Sequence, residues 1–148
     1  DIQAITDAEG KEVSPKRIHE RFLEVYVDQP GARLKFVDHQ TFPDAVMKGR
    51  RVVEATIIDA GKEMTITGTG NGPIDGFVDA LSRHLGIDLS VLDYSEHSIQ
   101  RGSNAAAICY MEVEHPGGRL FGAGINTNIV AASLEAVVSA ANRILARR

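Results

Sequence analysis

The chain has 148 residues, 43% hydrophobic and 24% charged, with a net charge of -4, which suits one domain with a real core. Its basic residues form nothing larger than pairs such as Arg50-Arg51 and Arg147-Arg148, so it lacks the electrostatic footprint of a nucleic-acid binder. No apolar run approaches the ~20 residues that span a bilayer, the start Asp1-Ile2-Gln3 resembles no signal or transit peptide, and the lone Cys109 excludes an internal disulfide. The expected partners therefore include neither nucleic acid nor membrane, the expected compartment is the cytosol, and the abrupt opening suggests an excised domain.

Residues 1–31 read as a linker segment. A polar turn at Asp7-Ala8-Glu9-Gly10 leads to Ser14-Pro15, an N-cap with a first helical proline, and to a helix with Ile18, Phe22, Leu23 and Val25 on its apolar face. Gln29-Pro30-Gly31 ends it. One short amphipathic helix cannot bury its own face, so this segment is expected to dock on the rest of the chain.

Residues 32–148 read as the main domain, in two repeats of about 33–86 and 87–148. The first has strands over Arg33 to Phe42, Arg51 to Asp59 and Lys62 to Thr67, with Ala60-Gly61 as a hairpin turn. A glycine-rich turn, Gly68-Thr69-Gly70-Asn71-Gly72, precedes a helix opened by Pro73, striped by Ile74, Phe77, Val78, Leu81 and Leu85, and stopped by Gly86. The second has strands over Ile87 to Ile99, Ala105 to Glu114 and Arg119 to Gly124, a turn at Pro116-Gly117-Gly118, and a longer helix from Ile129 to Leu145. Gly68-x-Gly70 returns as Gly122-x-Gly124, and Val78-Asp79-Ala80-Leu81 as Leu134-Glu135-Ala136-Val137, offset by 54 and 56 residues. The fold class is α+β: two pseudo-symmetric βββα units.

The first glycine turn lacks the Lys-Ser/Thr ending of a P-loop and the spacing of a dinucleotide fingerprint. Two readings stay open for it: a tight strand-to-helix turn, or an anion site where bare peptide N–H groups meet a small carboxylate. Asp93-Tyr94-Ser95-Glu96-His97 is the densest polar stretch, but on a strand Asp93, Ser95 and His97 point one way and Tyr94 and Glu96 the other, which fits a polar edge strand better than a catalytic set. The histidines are dispersed, so no metal is expected. Ala105-Ala106-Ala107 are poor strand formers, and leave room either for a close helix or for a ligand.

Three ordered stretches, "GNGPIDGFVDAL" (70–81), "LDYSEH" (92–97) and "GAGINTNIVAASLEAVVSAANR" (122–143), together resemble the C-terminal regulatory domain of α-isopropylmalate synthase, and "TDAEGKEVSP" is similar to the linker subdomain of its long bacterial forms. The resemblance implies a pair of βββα units that dimerises and binds L-leucine. It also implies a parent chain whose separate TIM-barrel catalytic domain, dependent on a divalent metal, joins acetyl-CoA to 2-oxoisovalerate. This chain would then be non-catalytic and need no cofactor. Carried over by motif, the leucine contacts are Gly70, Asn71, Gly72 and Ile74, then Val91 and Tyr94, then Ser98, Ala105 and Ala107, and Ile125. Val91 and Tyr94 have opposite parity on an ideal strand, so a bulge or a second subunit is required. The alternatives are an isoleucine-responsive domain of the citramalate synthase type, a dimerisation module without an effector, and an enzyme using Asp93, Glu96 and His97.

Overall fold

In the computed structural model, which describes residues 22–29, 31–101 and 104–147, each half of the chain forms an antiparallel meander of three strands followed by a helix. The first unit is β1 (Leu34–Pro43), β2 (Arg51–Asp59), β3 (Lys62–Gly70) and α1 (Pro73–Leu85); the second is β4 (Ser90–Arg101), β5 (Asn104–His115), β6 (Gly118–Asn126) and α2 (Ile129–Ala146). This is the expected α+β pair. The duplication extends to its irregularities. The register slips between Phe36 and Asp38 in β1 and between Val91 and Asp93 in β4, and at each slip the aspartate carboxylate accepts from the next N–H, His39 at 2.8 Å and Tyr94 at 2.9 Å.

Alternation places the core. Val53, Ala55 and Ile57 of β2 are buried against Phe77, Val78 and Leu81 of α1, while β5 buries Cys109, Met111 and Val113 beneath Leu134, Val137 and Ala141 of α2. Against the expectation of no such run, α2 is by length and composition long and apolar enough to cross a membrane. It is covered on two sides, by β5 and β6 and by β1 with the segment before it, and 67% of it is buried inside the fold.

Strand β4 runs to Arg101 and β6 to Asn126, each two residues beyond the sequence reading, and two further boundaries differ for a local reason. Gly68-Thr69-Gly70 is the end of β3 rather than a turn: a Cβ on Gly68 would strike the Gly76 carbonyl and the Ala80 N–H, and one on Gly70 would sit 2.6 Å from Cβ of Asp75. These glycines let the helix lie on the strand, as Gly122 and Gly124 do beneath α2. Likewise, Ile87 and Leu89 lie in the buried connection after α1 rather than in β4. Gly86 turns left-handed (φ 67°), and the Ile87 N–H and Leu89 N–H bond to the carbonyl and hydroxyl of Ser82.

Ser14, Pro15, Ile18 and Pro30 lie outside the described residues. From Phe22 onward the linker is helical, with a π-helical stretch at Leu23–Asp28 that stops at Gln29 (φ 38°). It docks on α2 through polar contacts. Gln29 donates to the Ser139 carbonyl at 3.0 Å and accepts from Asn142 at 3.1 Å, Ser139 Oγ donates to the Tyr26 carbonyl, and the Arg143 guanidinium lies 4.6 Å from the Tyr26 ring centre.

A charged cluster ties down the other end of the first sheet. The buried Asp59 carboxylate takes Arg33 Nε at 2.6 Å and NH2 at 3.1 Å, and His84 Nε2 lies 2.7 Å away, which joins the residue before β1, the end of β2 and the last turn of α1. Hydrogen bonding from Arg33, with help from His84, outweighs desolvation and holds Asp59 below the ordinary carboxylate range. A group whose folded pKa is depressed stabilises the fold above its unfolded value of about 4, and that contribution is lost as pH falls through the folded value. Urea unfolding of Asp59→Asn beside the parent chain should therefore show a gap at pH 7 that closes as pH drops below about 4. A gap unchanged at pH 3 would rule the carboxylate out as its source.

Candidate functional site

Because β3 ends at Gly70 and α1 begins at Pro73, the chain turns in two residues, Asn71 and Gly72. Gly72 is the N-cap, in extended backbone with no side chain to offer, and Pro73 has no N–H. The Gly76 N–H bonds to the Gly72 carbonyl at 3.0 Å, while no side chain caps the first turn with its Ile74 and Asp75 N–H groups. The same place in the second unit is filled. Asn128 Oδ1 accepts from the Ala131 N–H at 2.9 Å, and Asn126 Oδ1 accepts from the Asn128 N–H at 2.9 Å.

Opposite the uncapped turn runs the start of β4, and a cleft of about 550 Å³ separates them. Asn71, Gly72 and Ile74 form one wall and Val91 and Tyr94 the other, with Asp75 and Asp93 also in the lining. The parity conflict is resolved by the bulge: with Leu92 extruded, Val91 pairs with Val113 and Tyr94 with Met111, so both face the helix side of the second sheet. Among the described residues no helix covers β4 on that side, since α2 packs on β5 and β6. Tyr94 is 52% exposed, and every residue from Leu92 to Ser98 is exposed.

Of the residues named by resemblance, Asn71, Gly72, Ile74, Val91 and Tyr94 are thus brought together in one copy. Gly70 lies beneath the helix start, buried against Asp75 and Gly76. Ser98 pairs with Ala107, and with Ala105 they continue the Tyr94 face about 13 Å further along the sheet. Ile125 pairs with Ile108, on the opposite face from Ala107. Leu92 and Asp75 line the cleft without having been singled out from the sequence; the parity conflict at Val91 and Tyr94 was the signal for an extruded residue between them. In the polar stretch, Asp93 and His97 share the face away from α2, with the His97 ring 6.0 Å from that of Tyr110. Glu96 faces α2 and accepts from Ser133 Oγ at 3.3 Å. These three groups do not converge, and no set of His, Cys, Asp and Glu with metal-binding geometry occurs among the described residues.

Comparison with known proteins gives one consistent answer. The chain is 79% identical over 147 residues to the 2-isopropylmalate synthase of Mesorhizobium japonicum, 69% identical over 145 residues to that of Rhizobium meliloti, and 44% identical over 142 residues to that of Thermobifida fusca. These alignments cover 99%, 98% and 96% of the chain, but it spans only about a quarter of the length of the relatives, 26%, 26% and 24% in the same order. Residues 12–145 match the family model described as the LeuA allosteric (dimerisation) domain. With the fold of two βββα units in agreement, the chain belongs to the LeuA allosteric (dimerisation) domain family.

Proposed function

We propose that the chain is the regulatory domain of a cytoplasmic 2-isopropylmalate synthase, does no chemistry itself, and binds L-leucine in the cleft between the α1 N-terminus and β4 for feedback on a metal-dependent catalytic domain elsewhere in the parent chain. One observation carries the reading: two duplicated helix starts differ in that α2 is capped by Asn128 while α1, facing the cleft, is not. An uncapped first turn is a seat for a carboxylate, Asp93 or Asp75 is an acceptor for an ammonium group, and Ile74 and Val91 offer apolar walls. The exposed helix-side face of β4 supports a homodimer in which a second copy covers Tyr94, Glu96 and Ser98 and closes the cleft. Ser98, Ala105 and Ala107 lie on that face and would join the site across that interface, whereas Ile125, on the opposite face, has no place in it. Leucine then acts by favouring one arrangement of the domains over another, through a difference in affinity for the two.

Titration calorimetry with L-leucine, L-isoleucine and L-valine tests this on the chain and on Gly72→Asp. A side chain at Gly72 meets nothing within 4 Å, and an aspartate there is itself a good N-cap. The variant should keep its unfolding midpoint while its own carboxylate takes the ligand's place and weakens leucine about tenfold or more. Preference for isoleucine would move the chain to the citramalate type. Unchanged leucine binding in the variant would dismiss this cleft, and no binding by a folded dimer would leave an association module.

A further inference from the structure

A second cleft, separate from the one beside Gly72, lies between the linker and α2 and encloses about 290 Å³. Val27, Gln29 and Ala32 line it from the linker, and Val138, Ser139 and Asn142 from the helix. It is a built space rather than a gap. Ser139 and Asn142 are 2% and 7% exposed, and their hydrogen bonds to Tyr26, Gln29 and Leu34 hold the linker in place over it.

Two charged groups share the lining, Lys35 and Glu135. Glu135 is half-buried and accepts from Asn126 Nδ2 at 2.9 Å, and no cation lies within ion-pair distance of it among the described residues. Burial pushes its carboxyl up, against hydrogen bonds from Asn126 and the Ile125 backbone. A carboxylate withdrawn from water without a counter-charge is a standing cost that an arriving ammonium group would relieve. The strand edge adds backbone groups. Asn142 occupies both peptide groups of Leu34, and the alternation of an antiparallel ladder turns those of Phe36, also in the lining, to the same side.

We infer that this cleft is a second ligand site, for a small ammonium-bearing molecule held by Glu135, with an α-amino acid the form that also engages Lys35 through its carboxylate. The aliphatic part packs between Val27 and Val138. Since the linker is one wall, an occupant fastens the linker to α2, so slower amide exchange at Val27 and Gln29 accompanies binding.

The test is an amide NMR titration in the Gly72→Asp background, which blocks the other cleft and keeps the two readings apart. The probes are L-valine, isobutylamine, which lacks its carboxylate, and isovalerate, which lacks its amine. Saturable shifts at Ala32, Ala123 and Gly124 are expected with L-valine and isobutylamine and not with isovalerate. Glu135→Gln should weaken both binders about tenfold or more, and the exposed Lys35→Glu should weaken L-valine alone. The inference is overturned if isovalerate binds as well as the amine, if Glu135→Gln leaves both affinities unchanged, or if none of the probes moves those resonances up to its solubility limit. Should Glu135→Gln lose its dispersed spectrum, Lys35→Glu decides by the same comparison: equal weakening of amine and amino acid, or of neither, defeats it.

Discussion

Replacing Gly68 with valine is expected to cost the first unit about 3 kcal/mol or more, the upper end for an overpacked core. The reason lies in what the new side chain would meet. The nearest atoms to a Cβ there are the Gly76 carbonyl oxygen and the Ala80 nitrogen, with the Ala80 Cα at 2.9 Å, all of them helix backbone that has no rotamer to change. Relief requires α1 to lift from β3, which separates Phe77 and Leu81 from Val53 and Ile66. Gly122→Val should behave alike under α2, where the Ala136 carbonyl and the Ala140 nitrogen take the corresponding places. Gly72→Ala, at a position open to 4 Å, is the control and should leave the urea midpoint where it was. A loss of under about 1 kcal/mol at both buried glycines would mean that the helices do not sit in close contact with these strands.

That contrast also separates what the residues disclosed from what they concealed. Alternation in Val53-x-Ala55-x-Ile57 and the stripe Ile74, Phe77, Val78, Leu81 declare strand and helix, because one buried face imposes a fixed period. The repeat of Gly68-x-Gly70 as Gly122-x-Gly124 declares the duplication. What stayed ambiguous was the meaning of the glycines, since close packing and ligand access both favour a missing side chain. The structure divides them by position: Gly68 and Gly70 are buried under helix backbone, and Gly72 stands in open space at the cleft. The cleft was half legible. Its turn could be read directly, whereas the opposing wall depends on Leu92 leaving the ladder, an event visible only as a parity conflict between Val91 and Tyr94. Ser98, Ala105, Ala107 and Ile125 answer to no local rule, because nothing within one copy gathers them with the others.

Asn142→Leu should cost about 3 kcal/mol, although leucine shares the branched heavy-atom skeleton of asparagine and is more apolar. The loss comes from groups left behind. Asn142 Oδ1 accepts from the Leu34 N–H at 2.8 Å, and its Nδ2 donates to the Leu34 carbonyl at 2.9 Å and to Gln29 Oε1 at 3.1 Å. Leu34 is 2% exposed, so water cannot replace the bonds its peptide groups would lose. Gln29→Ala removes only the outer part of this seam and should cost about 1 kcal/mol, which separates linker docking from the anchoring of β1. The anchoring is one of the joins between the two units, beside the direct contact of α1 with α2: from Leu34 the strand runs to Phe36, whose ring meets that of Phe77 in α1 edge-on at 5.9 Å. Amide exchange distinguishes the variants. Gln29→Ala should expose the linker amides and leave Leu34 protected, whereas Asn142→Leu should release Leu34 and the first residues of β1 as well. If Leu34 stays protected in Asn142→Leu, β1 is held by its ladder with β2 alone and α2 does not carry the connection.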